Sequence, residues 1–211
     1  MLNKSHNYKG KLITFEGIDG SGKTTQIKKL KKFVKKKNLK NFIFTTEPDV
    51  GRLGKKVKNL LINNNNTISQ EAQILLLVAA RFEHFHKLIL PNLKKKKIIV
   101  SDRFQDSTFA YQCIKNKALN QMLTKLNKLI FNNYQPNLTI LLNVSPKVTL
   151  NRISVRKKNN AFDNKNISFY KNVRNSYLKL AHNNKRIKVV NAENQPEEVF
   201  KEIMKIIFNK I

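Results

Sequence analysis

The sequence predicts a three-layer α/β fold, a doubly wound parallel sheet of five strands with helices on both faces. Three observations lead there. Five short apolar runs recur along the 211 residues, each is continuous or nearly so, and the stretches between them are long enough for crossover helices. A strand with one wet face alternates apolar and polar residues, whereas a strand covered on both faces does not. Parallel neighbours also need a crossover of roughly a dozen residues or more.

In order, the runs are 11–16 (KLITFE), 42–46 (FIFTT), 97–101 (KIIVS), 138–143 (LTILLN) and 186–191 (RIKVVN). The longest intervening stretch, 69 to about 93, reads as one helix. Ser69 is its N-cap and Glu71 sits in its first turn, where a carboxylate meets the positive end of the helix dipole. Leu77, Arg81 and Phe85 recur there at i, i+4 and i+8 and so share one side. Pro146 and Pro196 each open a helix, because the first helical position has no use for the N–H that proline lacks. The resulting order, β-α-β-α-α-β-α-α-β-α-α-β-α, contains no repeat and no linker, so residues 1–211 read as a single domain. Segments 63–66 and 157–166 are the polar loops long enough to move.

Composition narrows the function. Hydrophobic residues at 40% and aromatics at 9% argue against a disordered chain. The single cysteine, Cys113, excludes a disulfide framework and fits a reducing compartment. The N-terminus lacks the apolar core of a signal peptide, and the longest apolar run, 74–80, is far shorter than the ~20 residues of a membrane span. A cytoplasmic protein without a membrane partner is expected. The formal net charge of +29 suggests a polyanion at first sight, but only 7 of the 42 basic residues are arginine. Lys and Asn fill 64 positions and Ile another 20, a skew that AT-rich codons produce whatever the function. The lysine runs at 28–37 and 94–97 therefore read as a solvated helix back and a pre-strand loop, and no specific nucleic-acid partner is expected.

The first run leads directly into Gly17-Ile18-Asp19-Gly20-Ser21-Gly22-Lys23-Thr24, a match to G-x-x-x-x-G-K-[ST] in the strand–loop–helix setting that motif requires. The glycines let backbone N–H groups turn toward phosphate oxygens, and the helix N-terminus behind them adds its dipole. Lys23 reaches the β- and γ-phosphates as a point charge, and the Thr24 hydroxyl is a ligand for Mg²⁺. This is a nucleoside-triphosphate site of the P-loop type.

In a lysine-rich chain arginine is the informative cation, since its planar fork grips phosphate bidentately. Five of the seven (Arg52, Arg81, Arg103, Arg152, Arg156) fall at strand ends, beside loops, or on helices facing the loop. Six of the thirteen acids (Glu16, Asp19, Glu47, Asp49, Asp102, Asp106) lie at or just past the ends of the first three runs, the edge where open α/β sheets bind ligands. Asp102 has the placement of the strand-end acid that holds Mg²⁺. His84 and His86 lie two apart on a helix and face different ways, unlike an i, i+4 metal pair. Phe82 and Phe85 read as core. On these residues a nucleotide kinase, a kinase of another (deoxy)nucleotide or deoxynucleoside, and an ATP-dependent nucleic-acid-binding protein all stay open.

Six segments then carry a resemblance: FEGIDGSGKTTQ (15–26), TEPDVGRLGKKV (46–57), LLLVAARFEH (75–84), SDRFQDSTFAYQ (101–112), NVSPKVTLNRI (143–153) and VVNAENQPEEV (189–199). Their order and spacing resemble the bacterial thymidylate kinases. The resemblance implies transfer of the ATP γ-phosphoryl to dTMP, in a homodimer whose lid spans about residues 152–166. It implies that ATP meets Gly17, Ile18, Asp19, Gly20, Ser21, Gly22, Lys23, Thr24 and Arg152, with its adenine at Asn191-Ala192. It puts dTMP against Asp19, Glu47, Leu77, Arg81, Arg103, Ser107, Thr108, Tyr111 and Gln112, with the phosphate on Arg103, the thymine edge on Arg81, and Tyr111 near C2′. The catalytic set is Lys23, Asp102, Arg103 and Arg156, Arg156 being the transition-state cation because the loop itself carries no arginine. Thr46, Asp49-Val50, Leu77 and Ala161 depart from the family pattern, so thymine is expected to rest on an aliphatic surface at Leu77.

Overall fold

The structure, a computed structural model, describes residues 8–63, 67–155 and 166–210. Strands β1 (Lys11–Glu16), β2 (Phe42–Thr46), β3 (Ile98–Asp102), β4 (Leu138–Asn143) and β5 (Ile187–Asn191) form one parallel sheet in the order β2-β3-β1-β4-β5. Helix α1 (Lys23–Lys36) follows β1; α2 (Gly51–Asn63), α3 (Gln70–His84) and α4 (Leu90–Lys94) lie between β2 and β3. Helices α5 (Gln105–Gln112) and α6 (Lys117–Phe131) precede β4, α7 (Pro146–Ser154) and α8 (Ile167–Asn183) precede β5, and α9 (Pro196–Phe208) closes the chain.

The continuous apolar runs have the cause inferred for them. Along β1, Ile13 and Phe15 join one apolar cluster with Leu30 of α1, Tyr170 of α8 and Ile203 of α9. Leu12, on the opposite side of the pleat, joins a second with Val78 of α3, Leu93 of α4 and Leu123 of α6. Ser69 caps α3 by accepting from Ala72 N–H at 3.2 Å, and Pro146 and Pro196 stand at the first turns of α7 and α9.

Two boundaries and one helix differ from expectation. β3 starts at Ile98 because the Lys97 N–H closes a turn onto Asn92 O instead of entering the ladder, and Asp102 becomes its last residue, paired with Phe15 and Thr46. β5 starts at Ile187, whose N–H bonds back to Asn184 O. The helix expected over 69–93 is broken by a π turn at Phe85–Ile89, where Leu90 N–H reaches Phe85 O. Pro91 follows at once; it has no N–H to donate and crowds the preceding turn, so the ladder widens there. Phe85, which opens the π turn, is fully buried in the core, while Phe82, expected there too, is 40% exposed.

A polar seam crosses the middle of the sheet. The guanidinium of Arg186 grips Asp106 bidentately at 2.7 and 2.8 Å and donates to Thr139 Oγ1 at 2.6 Å, while Thr139 bonds Thr14 at 2.7 Å. Asp106 lies in the first turn of α5, so the seam fixes where that helix begins. Removing one partner of such a buried pair leaves the other charge uncompensated. Arg186→Met is therefore expected to cost about 3–5 kcal/mol in urea unfolding, and the double variant with Asp106→Leu to recover much of that loss.

Candidate active site

The carboxyl ends of β1, β2 and β3 converge on the loop that leaves β1. At Gly17 φ is +141°, and a Cβ there would lie 2.6 Å from Leu142 O and 2.7 Å from Ser21 Oγ, so the residue type is dictated. The loop delivers the chain to Gly22, and no side chain among the described residues caps the N-terminus of α1. Its first N–H groups are thus left without a side-chain partner there, as an anion site requires. Lys23 is buried, and its Nζ donates to Gly17 O at 2.8 Å and Ile18 O at 3.0 Å.

Arg103 approaches the same loop from β3. Its φ of +69° is strained for a residue with a side chain, and two contacts fix it: Arg103 N–H donates to Phe15 O at 3.0 Å, and Ser101 Oγ donates to Arg103 O at 2.7 Å. The guanidinium then bonds Asp19 Oδ1 at 2.5 Å and Ser107 Oγ at 3.0 Å, and lies over the Tyr111 ring at 5.1 Å. Its Nη1 also reaches Gly17 O at 3.4 Å, the carbonyl that Lys23 contacts. The loop lysine and the strand-end arginine therefore meet at one peptide oxygen.

Behind Arg103 stands a carboxylate. Glu16 accepts from Phe104 N–H at 2.7 Å, from Ser107 Oγ at 2.6 Å and from the Tyr177 hydroxyl at 3.0 Å. Tyr177, from α8, also lies 3.4 Å from Arg103 Nη1.

A cavity of about 320 Å³ opens from this point toward α2 and α3. At its far end Arg81 donates through Nε to Glu47 Oε2 at 2.7 Å and through Nη2 to Thr108 Oγ1 at 2.9 Å, while its buried Nη1 has no partner among the described residues. Leu77 and Gln112 line the same end, and Gln112 donates to Gln73 Oε1 at 3.3 Å. Lys58 lines the opposite wall, paired with Asp49 at 2.6 Å. α2 lies close enough to the Glu47–Pro48 loop that a Cβ on Gly54 would come within 1.9 Å of Pro48 O.

Of the residues singled out in the sequence, Asp19, Gly20, Gly22, Lys23, Thr24, Glu47, Leu77, Arg81, Asp102, Arg103, Ser107, Thr108, Tyr111 and Gln112 all line this cavity. Both oxygens of Glu47 are committed, one to Arg81 and one to His84, so it orients Arg81 within the cavity wall. Gly17, Ile18 and Ser21 form the body of the loop and do not line the cavity. Arg152, Asn191 and Ala192 gather on its other side, where Arg152 donates to Ala192 O at 2.9 Å and Gly20 O at 3.4 Å. Arg52 is exposed at the start of α2, away from the cavity. Arg156, Ala161 and most of the expected lid lie outside the described residues, as do 64–66 in the other polar loop.

Tyr177 was not singled out in the sequence, and Glu16 stood there only as one of the strand-end acids, without a role of its own. Tyr177 falls on a helical stripe with Tyr170 and Val173, which marks it as buried but not that its hydroxyl ends at Arg103. Lys58 was missed as well; it shares the face of α2 that carries Gly54, Leu61 and Ile62, and that period was its only signal.

The electrostatics follow the packing. Burial pushes the Lys23 ammonium down to about 8, helped by the like charge of Arg103 and opposed by Asp19, Asp102 and Glu16. Burial would raise the Asp19 carboxyl, but Arg103, Lys23 and the Tyr111 hydrogen bond outweigh it and hold Asp19 below the usual carboxylate range. Glu16 moves the other way: burial, and then the charge of Asp106, push it up to about 7 against the pull of Ser107, Arg103 and Phe104 N–H.

A parallel sheet of this order, with a lysine-bearing glycine loop at its centre and a second cation at the same edge, defines a P-loop nucleotide kinase. Comparison with known proteins narrows the class. The thymidylate kinase family model matches residues 15–203. The thymidylate kinase of Maridesulfovibrio salexigens is 39% identical over 208 residues, covering 94% of this chain and 95% of the relative. That of Ligilactobacillus salivarius is 36% identical over 204 residues, covering 95% and 98%. The crystal structure of thymidylate kinase from Ehrlichia chaffeensis superposes with a TM-score of 0.74 at 32% identity, over 94% of this chain and 98% of that one. The chain belongs to the thymidylate kinase family, kinases that phosphorylate dTMP to dTDP with ATP.

Because Glu16 keeps a proton in the folded state that the unfolded chain releases near 4.5, its contribution to stability falls as pH rises from about 4.5 to about 7. Glu16→Gln should remove that slope. The difference in unfolding free energy between variant and parent should grow in the variant's favour across this window by up to about 3 kcal/mol, read from urea titrations at each pH.

Proposed function

We propose that this chain transfers the γ-phosphoryl of ATP to dTMP through two anion sites that share the Gly17 peptide. The observation that carries the proposal is the shared carbonyl: Lys23 Nζ at 2.8 Å and Arg103 Nη1 at 3.4 Å from Gly17 O. The donor phosphates rest on the loop and the α1 N-terminus, and the acceptor phosphate rests on Arg103, so the two nucleotides meet head to head. Phosphoryl transfer asks the protein chiefly for positioning and for neutralisation of charge, and no nucleophilic side chain is needed. Arg156, with Arg152 nearby in sequence, supplies the closing cation.

Mg²⁺ fits the residues present. The Asp102 Oδ1 atom is buried with no partner among the described residues, and Thr24 presents a hydroxyl on the same cavity wall. Hard oxygen donors of this kind suit Mg²⁺, which is held by one or two protein ligands plus phosphates. When bound, the ion neutralises phosphate oxygens. Asp102 and Thr24 would hold it, and Lys23 and Arg103 fix the two phosphates on either side.

Arg81 selects the base. Its guanidinium only donates, and the unpartnered Nη1 suits the 4-carbonyl of thymine; cytosine presents an amino donor there and leaves Nη1 unpaired. Leu77 offers the aliphatic wall, and Tyr111 stands beside the sugar. Asn191-Ala192 meets the adenine. A homodimer is supported by paired apolar residues left exposed at i, i+7, Leu53 and Leu60 on α2 and Leu75 and Phe82 on α3. The working compartment is the cytoplasm, in keeping with a described structure that has no helix long and apolar enough to cross a membrane.

In a coupled assay with Mg-ATP, dTMP should be the best acceptor, with UMP, CMP and AMP poor. Turnover of CMP equal to that of dTMP overturns the assignment. Lys23→Ala should lower kcat by about 10²–10³ with unfolding behaviour retained, as expected for loss of one preorganised charge at the reacting phosphates.

A further inference from the structure

We propose that His84, which does not line the cavity, is a positioning residue for base recognition: with Thr45 it holds Glu47, and Glu47 in turn aims Arg81. The proposal rests on the reading that Arg81 meets the base. Four residues interlock. Thr45 and Glu47 are two apart at the end of β2 and project to the same side. Arg81 and His84 are three apart on α3 and share a face. One carboxylate joins them: Glu47 Oε2 takes Arg81 Nε at 2.7 Å, and Oε1 takes His84 Nδ1 at 3.0 Å. His84 Nε2 is closed by Thr45 Oγ1 at 2.8 Å. The side chains of Arg81, Glu47 and His84 are 3%, 5% and 2% exposed, so water does not replace any of these bonds.

The chemistry fixes the direction of each bond. An ionised carboxylate only accepts, so His84 donates from Nδ1. A neutral ring then accepts at Nε2, and Thr45 is the donor. Glu47 is thereby held by both oxygens, and Arg81, gripped at Nε by Glu47 and at Nη2 by Thr108, has one orientation left for its unpartnered Nη1. If His84 cannot donate, Oε1 loses its partner and the carboxylate is free to turn, which loosens Arg81 without touching Lys23, Arg103 or the donor-nucleotide loop.

Three variants separate this role from simple packing, because an Asn amide can stand in for Nδ1–H whereas Gln reaches the place of Nε2. His84→Leu should raise KM for dTMP about 10-fold, leave KM for ATP unchanged, keep kcat at saturating dTMP within about 3-fold, and lower the preference for dTMP over CMP. His84→Asn should restore most of the dTMP affinity, and His84→Gln should not. Equal behaviour of Asn and Gln, or a loss in which kcat and both KM values move together with a lowered Tm, overturns the proposal. Should His84→Leu fail to fold, the Asn and Gln pair still decides. Independently of activity, ¹⁵N NMR of the parent at pH 8 should show His84 protonated on Nδ1 and bare on Nε2, its signals assigned by their loss in His84→Asn. The reverse tautomer also refutes the role of His84, whereas absence of dTMP turnover in a protein with the expected tautomer refutes the reading of the pocket instead.

Discussion

Two cations from different parts of the chain, Lys23 and Arg103, converge on the carbonyl oxygen of Gly17, and the rest of the structure makes that convergence tolerable. Burial, and then the like charge of Arg103, push Lys23 down to about 8. The protein answers with Asp19 in front of Arg103 and with Asp102 at the end of the neighbouring strand, while the Glu16 carboxyl, pushed up to about 7, accepts hydrogen bonds behind it. Phosphate oxygens would meet donors that are already fixed in place, so positioning for two anions is built into the resting geometry.

Each of those charges is fixed by a rigid element rather than by a loop alone. Arg103 is held in an unfavourable backbone region by bonds to β1 and β3, at a cost of about 1–3 kcal/mol. Ser107 and Tyr111 come from α5, whose start is pinned by the Arg186–Asp106 pair beneath the sheet. Tyr177 brings α8 into the same network, so the helix that follows the expected lid touches the acceptor-side cation directly. Packing, strain and charge here are parts of one arrangement. The sheet supplies stiffness, the buried polar seam sets the helix, and the helix presents the hydroxyls that orient the guanidinium.

Much of this was legible in the sequence because the physics is local. Continuous apolar runs betrayed strands covered on both faces, and three start at the expected residue; β3 starts one residue later because a turn bond to Asn92 captures the Lys97 N–H, and β5 starts at Ile187 in place of Arg186. The glycine loop was legible because only glycine tolerates φ and contact distance at Gly17. Arginines stood out against a lysine background, and two of those singled out, Arg81 and Arg103, define the two ends of the cavity. What stayed hidden depends on tertiary placement. The π turn needs Pro91 read together with helix phase, and the exposure of Phe82 depends on what packs against α3, which its own sequence does not report. Glu16 and Tyr177 gain their roles from contacts across 161 positions of sequence, and no spacing rule reports those.

The central claim is that two nucleotide phosphates approach one another across the Gly17 peptide. A crystal structure with dTMP and a non-hydrolysable ATP analogue bound together tests it most directly. The account predicts the terminal phosphate of the analogue at Lys23, the dTMP phosphate at Arg103 and the thymine 4-carbonyl at Arg81 Nη1. A dTMP phosphate seated away from Arg103, or two nucleotides whose phosphates point apart, would contradict it.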